Sequence, residues 1–568
     1  MSFLKKYADF LIIIVLLVFT VSPLFSSGWF PVHDDEQIGR LFELNKDIMT
    51  GQLPPRFAQD LGFGFDYPLF NFYPSFVYYV AELFHLIGFP YITSTKLMIG
   101  LGFLLAGIFM YLFSKEYVGR IGGVVAAIAY SYTPYHSVDV YVRGALPEFW
   151  SFVFVPALFW SFFQLAKKGN YFSIVLSGVF VACLVLTHDL IAMMSSFFLG
   201  AFFIYLILQS KNKKVLFGKI CLSVVLGLLF SAYFWLPAYH EKQYTMVYLL
   251  TQQNADFHLY FVCIKQFLNS PWGYGGSIPG CSDGISFQVG QAQLLLMLVS
   301  LVFSAFFLWK KKKGYSIALL FVILFLFSLF IQTKYSVFIW DKIQPFSYIQ
   351  FPWRFLIFSD FTAAFLAAFI FSQLKREKIK IIIAALMLLL LILMNKDYFR
   401  PEKYLQNITD ANYTAMSVLN WRTSSMSYEY TPKGIAIIQP NSGNAVINIK
   451  PQEISTKSFS IIRGKISVIP MEDIPQQKVW YVTVSQSGIL RLNTFSFPGW
   501  KTYIDDKEVS YSDTNKFRLI TIAVPAGQHV VRATFTDTPI RIFANSLSLI
   551  TLIGVIGYGM LIKKRKNK

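Results

Sequence analysis

The sequence predicts a polytopic α-helical membrane protein of about 12 spans, with an extracytoplasmic antiparallel β-sandwich domain before the last span. Hydrophobic residues make up 55% of its 568 residues and charged residues only 14%, whereas a soluble globular protein has about 25% charged residues. Apolar segments recur up to residue 395 and once more near the C-terminus. Between them, in 396–541, short runs alternate apolar and polar residues, which is typical of strands.

Each apolar segment has about the 17–25 residues that cross the hydrocarbon layer. The segment 72–90 is ambiguous, because it is apolar but contains Glu82 and His85 and is bracketed by prolines. The predicted spans are 8–26, 95–113, 119–137, 149–166, 171–187, 190–208, 215–236, 290–309, 315–332, 351–373, 379–395 and 542–562.

The basic residues indicate the orientation. If 72–90 does not cross, the inner loops and termini carry 22 Lys and Arg, and the outer loops before the tail domain carry 8. The positive-inside rule then predicts that both termini are cytoplasmic and that 72–90 lies along the outer membrane surface. We expect the first span to be an anchor and not a removed signal peptide. Clusters of this kind also explain the net charge of +19 without any nucleic-acid partner.

This topology divides the chain into three parts. Residues 1–395 form a multi-span membrane domain with long outer loops at 27–94 and 237–289, residues 396–541 form the β-sandwich, and residues 542–568 form the last span and a basic cytoplasmic tail. Cys263 and Cys281 share the loop 237–289. They either pair, if the loop faces an oxidising side, or remain two unrelated thiols.

The acid motif His33-Asp34-Asp35-Glu36 follows the first span. Acids near hydrocarbon are costly and are usually retained for a reason. Adjacent carboxylates repel, so this arrangement suits either a general base, Asp34 or Asp35, or a divalent-metal site formed by Asp34, Asp35 and Glu36, for Mg or Mn. His33 and Glu36 would support either site. The alternative is a solvated loop whose acids simply keep it outside.

A second outer loop carries Asp139, Arg143 and Glu148. The planar fork of an arginine is suited to a phosphate, so Arg143 is a candidate clamp. The alternative is that Arg143 pairs with Asp139 or Glu148 and merely closes the loop.

Two further candidates lie at predicted span ends. The pair His188-Asp189 either holds two spans together or supports the site. Arg354 begins a span, where it either reaches the outer surface as a phosphate contact or snorkels as an anchor.

Four segments carry a family resemblance: the acid motif, 51–62 (GQLPPRFAQDLG), 67–74 (YPLFNFYP) and 497–509 (FPGWKTYIDDKEV). Together with the many spans and the tail domain, they resemble the C superfamily of glycosyltransferases (GT-C). The likeness is closer to bacterial membrane proteins of the YfhO type and to those labelled pyruvoyl-tetrahydropterin-synthase-related. The pterin label implies no pterin activity, because the zinc-binding histidine set of the soluble enzyme is not reproduced here.

The resemblance implies a GT-C-like fold and an enzyme that uses a polyprenyl-phosphate sugar donor at the outer side of the cell membrane. Asp34 or Asp35 would deprotonate the acceptor hydroxyl, which attacks the anomeric carbon with inversion. Arg56, Arg143, Arg354 or a divalent cation would stabilise the departing phosphate. The β domain would hold the acceptor, which is an extracytoplasmic glycan, cell-wall polymer or lipid.

Two other functions remain open. One is a non-catalytic membrane protein that assists glycopolymer assembly. The other is a lipid or polymer transporter, which the sequence favours less, because the spans contain few charges and no paired broken helices in matching halves.

Overall fold

A computed structural model describes residues 2–251, 256–308, 315–438, 446–454 and 457–566. The predicted inner cluster Lys310–Lys313 therefore lies outside the described residues, as do parts of the predicted strand runs around 439–445. The bounds of the helices are α1 Ser2–Leu16, α2 Val18–Val21, α3 Gln37–Met49, α4 Leu69–Phe72, α5 Phe76–Leu86, α6 Tyr91–Ser131, α7 Pro134–Ser137, α8 Leu146–Lys168, α9 Tyr171–Thr187, α10 Asp189–Gln209, α11 Lys213–Phe230, α12 Ala232–Glu241, α13 Ile264–Leu268, α14 Gln291–Leu308, α15 Tyr315–Ile331, α16 Val337–Lys342, α17 Leu356–Ala367, α18 Glu377–Asn395, α19 Ala411–Thr414, α20 Ser424–Met426 and α21 Pro539–Lys566.

Every predicted span overlaps one or more of these helices. Among the described residues, five helices are long and apolar enough to cross a membrane, or up to eight if each strongly bent pair counts as one span. The chain is therefore a multi-pass helical protein, and the number of twelve spans stays a prediction. One bent pair is α11 and α12, whose axes meet at 68°.

The long helix α6 contains two of the predicted spans. Its 41 residues are interrupted at Gly119, where φ is 76° and ψ is 175°. This positive φ is accessible to glycine and strained for other residues. The break falls at the predicted boundary between the spans 95–113 and 119–137, so a single glycine divides one helix into two.

The ambiguous segment 72–90 forms the short helix α5. Its 11 residues rise about 16 Å, which is about half of the hydrocarbon thickness. Leu83, Leu86 and Ile87 are 54–72% exposed, while Tyr78 and Glu82 are buried. The length agrees with a segment that does not cross, and its position along the outer surface stays a prediction.

The tail begins with irregular structure before its strands. Residues 396–430 contain the short helices α19 and α20 and a π-helical turn at Val418–Thr423. This part packs on the loop 27–94, to which it is joined by a bridge between Trp29 and Leu405. The sheets therefore occupy only the second part of the predicted 396–541 domain.

All strand pairs in the described part of the tail are antiparallel. The sheet orders are β4-β5-β10-β7-β8, β3-β6-β9 and the separate pair β1-β2. The strand bounds are β1 Ile437–Ile438, β2 Val446–Ile447, β3 Phe459–Arg463, β4 Ile466–Ile474, β5 Gln477–Val484, β6 Gly488–Phe495, β7 Trp500–Ile504, β8 Lys507–Val509, β9 Leu519–Val524 and β10 Gly527–Phe535.

Alternating burial shows why these runs form sheets. On β5, Trp480, Val482 and Val484 are buried, and on β6 Leu490 and Leu492 are buried. All five belong to one hydrophobic cluster, so the two larger sheets contribute to a common core. The predicted antiparallel β domain is present, and its face-to-face sandwich arrangement stays a prediction.

Buried charges join the loop 27–94 to this domain. Lys478 on β5 is 3% exposed at its side chain, and its Nζ lies 3.2 Å from Asp66 and 2.8 Å from Asp473. The hydroxyl of Thr494 on β6 donates a hydrogen bond of 2.5 Å to Asp66. Burial raises the pKa of Asp66 to about 6, although Lys478 favours the ionised form.

Cys263 and Cys281 form a disulfide, while Cys183 and Cys221 are free thiols. Of the two alternatives that the sequence leaves open, the structure therefore contains the pair.

Replacing Lys478 with Met should leave a buried carboxylate at Asp66 without its nearest cation. Removing one partner of a buried ion pair costs about 3–5 kcal/mol, so the melting temperature of the purified protein should fall by several degrees. The matched control is Lys501→Met, since Lys501 lies 3.6 Å from Glu508 and both side chains are about half exposed. That change should cost less than about 1 kcal/mol. Equal shifts in the two variants would contradict the proposed role of the buried pair.

Alkylation followed by peptide mass spectrometry should recover one Cys263–Cys281 cross-linked peptide from protein isolated without reductant. Cys183 and Cys221 serve as internal controls, because both should be alkylated as free thiols after unfolding. Recovery of all four residues as free thiols would show that the loop 237–289 does not meet an oxidising compartment.

Candidate functional site

The acid motif is attached to the second outer loop through its backbone. The N–H of His33 donates to Val142 O at 3.0 Å, and the N–H of Asp34 donates to Arg143 O at 2.7 Å. Gly144 follows with φ of 69°, and an added Cβ there would come within 2.6 Å of the acid-motif loop. The two loops are therefore closely packed, and this contact places Asp34 beside Arg143. His33 itself is exposed.

The three acids of the motif have different partners. Asp35 forms an ion pair with Arg422, which lies 387 positions later in the chain. Glu36 lies 3.0 Å from Arg40, one helical turn further along. The carboxylate of Asp34, which is half-buried, has no hydrogen bond or ion pair with any residue that the structure describes.

Burial dominates the titration of two of these acids. It raises the pKa of Asp35 to about 6, opposed by Arg422 and by the hydroxyl of Tyr413, which donates a hydrogen bond of 3.2 Å. It also raises the pKa of Glu36 to about 7, against the attraction of Arg40. Burial thus opposes ionisation of both acids, whereas their arginine partners favour it.

The predicted metal site rests on three acids with different partners. Asp35 and Glu36 are paired with different arginines, whereas Asp34 is paired with neither arginine. In the described part of the chain, no three His, Cys, Asp or Glu side chains are arranged to hold a metal ion. A Mg or Mn site on Asp34, Asp35 and Glu36 stays a prediction.

A buried ion network lies next to Asp34. Arg143 Nη1 forms an ion pair with Asp139 and lies 2.9 Å from Glu148 Oε2. Arg354 Nε donates to the same Glu148 oxygen at 3.1 Å. Two arginines and two acids thus balance in charge, as buried ions require. The alternative that Arg143 pairs with Asp139 or Glu148 is realised, with both acids.

Each arginine of this network keeps unused donors. The side-chain hydrogen bonds of Arg143 all leave from Nη1, so that Nη2 and Nε donate to no described residue. Arg354 uses Nε for Glu148 and Nη1 for Ile349 O, at 2.7 Å, and Gln350, and its Nη2 likewise donates to no described residue. The ring of Trp353 lies 4.5 Å from the guanidinium carbon of Arg143 and restricts its position.

His188 and Asp189 lie at the junction of α9 and α10. The ring of His188 accepts the N–H of Ile191 at 3.4 Å, and Asp189 accepts the N–H of Leu190 at 2.9 Å. His188 therefore caps α10, and Asp189 is the first residue of this helix. Both are also electrostatic neighbours of Arg354. The two residues thus form the start of α10, beside the ion network of Arg354 and Glu148.

Arg56 does not join this group. It is 2% exposed, and its guanidinium donates to Asn71 at 3.3 Å and to Tyr233 O and Asn545 at 3.0 Å each. Burial, together with the nearby charge of Arg541, lowers its pKa to about 10. The predicted role of Arg56 as a donor-phosphate contact alongside Arg143 and Arg354 is therefore corrected. Its Nη1 and Nη2 bind the chain's own oxygens and so join the loop 27–94 to α12 and α21.

Two arginines that pair with the motif were not predicted as site residues. Arg40 follows Glu36 at i+4, a helical spacing that could have indicated the pair. Arg422 offered no such signal, because only the fold brings it to Asp35.

An apolar groove of about 650 Å³ lies among α9, α11, α12 and α21. Tyr233 and Asn545, two of the contacts of Arg56, line it together with Tyr79 of α5. The acid motif contributes no residue to this groove. The cleft beside Asp34 and Asp35 is much smaller, about 10 Å³, which is room for about one water molecule.

Replacing Asp35 with Asn should change the pH dependence of stability. The pKa of Asp35 is about 6 in the folded chain against 3.8 for a free side chain. The unfolded chain therefore ionises first, and this carboxyl destabilises the fold as the pH rises from about 4 to 6. Relative to wild type, Asp35→Asn should gain up to about 3 kcal/mol between pH 4 and pH 7. Melting temperatures across this range test it, with the half-exposed Glu508→Gln as control. A difference from wild type that does not vary with pH would contradict the assignment.

Comparisons with solved structures find distant likenesses. The apo oligosaccharyltransferase of Archaeoglobus fulgidus is 12% identical with a TM-score of 0.42, and the alignment covers 73% of this chain and 57% of that one. The arabinofuranosyltransferase AftD from Mycobacteria is 12% identical with a TM-score of 0.46, over 72% of this chain and 28% of that one. A mutant form of AftD is 9% identical with a TM-score of 0.43, over 94% and 60% of the two chains. Likenesses of this size do not assign an activity.

No curated protein matches the chain. A family model does: the 6-pyruvoyl-tetrahydropterin synthase related domain, described as a membrane protein, matches residues 70–401. The matched part contains Arg143, Glu148 and Arg354, and the acid motif precedes it. Because the match covers more than half of the 568 residues, this chain belongs to the membrane-protein family of the 6-pyruvoyl-tetrahydropterin synthase related domain.

Proposed function

We propose that this protein is a membrane glycosyltransferase that moves a sugar from a polyprenyl-phosphate donor to an extracytoplasmic acceptor with inversion of configuration. The observation that carries the proposal is the unpaired carboxylate of Asp34, which is attached through its backbone to Arg143. A base needs a carboxylate free to accept a proton, and a departing phosphate needs donors that nothing else occupies. Asp34 meets the first need, and Arg143 and Arg354 meet the second. The sequence resemblance supplies the reaction class.

In the proposed reaction, Asp34 takes the proton from the acceptor hydroxyl as its oxygen attacks the anomeric carbon. The new bond joins that carbon to the acceptor oxygen, and the bond from the carbon to the phosphate oxygen breaks. The electron pair leaves with the polyprenyl phosphate. The unused nitrogens of Arg143 and Arg354 receive the charge that develops on it. Asp34 then releases its proton to water.

The roles of the neighbouring acids follow from their partners. Asp35 is a positioning residue, because its ion pair with Arg422 fixes the motif against the tail. Glu148 holds Arg143 and Arg354 together.

Transfer should be measured with purified protein in lipid nanodiscs and a panel of radiolabelled polyprenyl-phosphate sugars, each with Mg²⁺, with Mn²⁺ and with EDTA. Asp34→Asn should lower turnover by about 100-fold or more, which is the contribution of a general base. Asp35→Asn should lower it much less, and the remote Glu508→Gln should match wild type.

The folded state of each variant should be checked by its melting temperature before rates are compared. Equal turnover in wild type and Asp34→Asn would remove Asp34 as the base. Failure of wild type with every donor, beside a working control enzyme, would favour the non-catalytic assembly protein. That alternative also predicts that deletion of 396–541 abolishes the cellular function, whereas Asp34→Asn leaves it intact.

A further inference from the structure

Two adjoining cavities lie between the loop that follows α12 and the β domain. Their volumes are about 410 Å³ and 400 Å³, and Gln243 and Lys433 line both. They therefore form one groove, which we call the tyrosine–lysine groove. Each half has the volume of a typical small-ligand site. None of the acid-motif residues lines it.

The groove carries net positive charge. The Nζ of Lys242 lies over the rings of Tyr239 and Tyr348, at 4.7 and 5.2 Å. Within the described residues, no carboxylate lies within ion-pair distance of Lys242 or Lys433. The third cation, Arg518, is paired with Asp513 at 3.0 Å. Two cations thus remain for a ligand.

The groove is also rich in tyrosine. Tyr239, Tyr248 and Tyr348 line one half and Tyr244 and Tyr511 the other. Tyr239, Tyr244 and Tyr248 are 69, 44 and 40% exposed. A tyrosine presents an apolar ring face together with a hydroxyl, which suits the apolar faces and hydroxyl groups of sugar rings. Tyrosines and lysines also collect in the interfacial belts of membrane proteins. However, Tyr511 belongs to the β domain and not to a membrane helix.

One wall of the groove is connected to the ion network. Tyr348 lies in the turn Gln344–Ile349, and the next carbonyl, of Ile349, accepts a hydrogen bond from Arg354 at 2.7 Å. Gln350 donates to Leu250 O at 3.2 Å and so joins this turn to the opposite wall. A ligand in the groove would therefore lie one turn of chain away from the residues proposed to bind the donor phosphate.

We propose that the tyrosine–lysine groove binds an anionic glycan, a polymer whose sugar rings carry carboxylate or phosphate groups. The lysines bind the charges, and the tyrosines pack against the rings. This inference deepens the proposed function by naming the chemical class of the acceptor. Only the role of the bound glycan as acceptor rests on that function. The binding itself requires no transfer.

The test is equilibrium binding to the full chain in phosphatidylcholine nanodiscs, without any donor. The probes are polygalacturonate fragments, which carry carboxylates, and a glycerol-phosphate polymer that bears sugars. Dextran is the neutral glycan, and polyglutamate is the anionic polymer without sugar rings. Wild type should bind at least one anionic glycan about tenfold or more tightly than dextran or polyglutamate.

Three double variants separate charge from ring contact. Lys242→Gln with Lys433→Gln should weaken glycan binding by about tenfold or more. Tyr239→Leu with Tyr348→Leu should weaken glycan binding and leave polyglutamate binding unchanged. The matched control is Lys465→Gln with Lys507→Gln, two exposed lysines of the β domain outside the groove. It removes the same charge and should bind like wild type.

Four results would overturn the proposal. Three are equal weakening in the lysine control, equal affinity for polyglutamate, and displacement of the glycan when phosphatidylglycerol is added to the nanodiscs, which would assign the groove to lipid headgroups. The fourth is failure of every anionic glycan to bind, whatever the transfer assay shows. Glycan binding without any transfer would instead count against the proposed function alone.

Discussion

The carboxylate of Glu148, held between Arg143 and Arg354, is the interaction on which the site depends. Burying ions is costly unless each is paired, and this set of two arginines with Glu148 and Asp139 is neutral as a whole. Its formation fixes the backbone of the second outer loop, and the N–H of Asp34 is bonded to that backbone at Arg143 O. The position of the Asp34 carboxylate is therefore set by a loop whose arginine, Arg143, is held by Asp139 and Glu148. The same pairing leaves Nη2 of both arginines without a partner among the described residues.

Part of the loop 27–94 is buried in the interior of the protein. Asp66 in this loop is paired with Lys478 of the β domain, and Asn71 donates a hydrogen bond of 2.8 Å to Glu241 at the end of α12. Glu241 also accepts from Arg541 at the start of α21, at 2.8 Å. Loop, membrane helices and β domain therefore share one set of buried polar contacts. For this reason a change such as Lys478→Met weakens the contact between the loop 27–94 and the β domain, and not one sheet alone.

Much of the fold could be predicted because it depends on local patterns. Hydropathy locates the helices, and alternation locates β5 and β6, since both patterns are properties of neighbouring residues. Arg143, Glu148 and Arg354, which lie at predicted outer ends, form one network in the structure. The partner of Asp35 could not be predicted, because Arg422 lies 387 positions away and only the folded tail delivers it. Arg56 was misplaced for a related reason. Its closeness to the acid motif in sequence does not reveal that its guanidinium is enclosed by Tyr233 and Asn545.

The connection between the tyrosine–lysine groove and the ion network has a mechanical consequence. The turn Gln344–Ile349 presents Tyr348 to the groove and the carbonyl of Ile349 to Arg354. In the proposed function, a ligand that packs on Tyr348 restricts the same turn that positions the Arg354 guanidinium, so binding energy from the groove would order the donor at the site. A transferase that acts on a long polymer would gain from this arrangement, because chain segments distant from the reacting hydroxyl would then contribute to the geometry of the reaction. The turn Gln344–Ile349 would thus join the proposed acceptor and donor sites through Arg354.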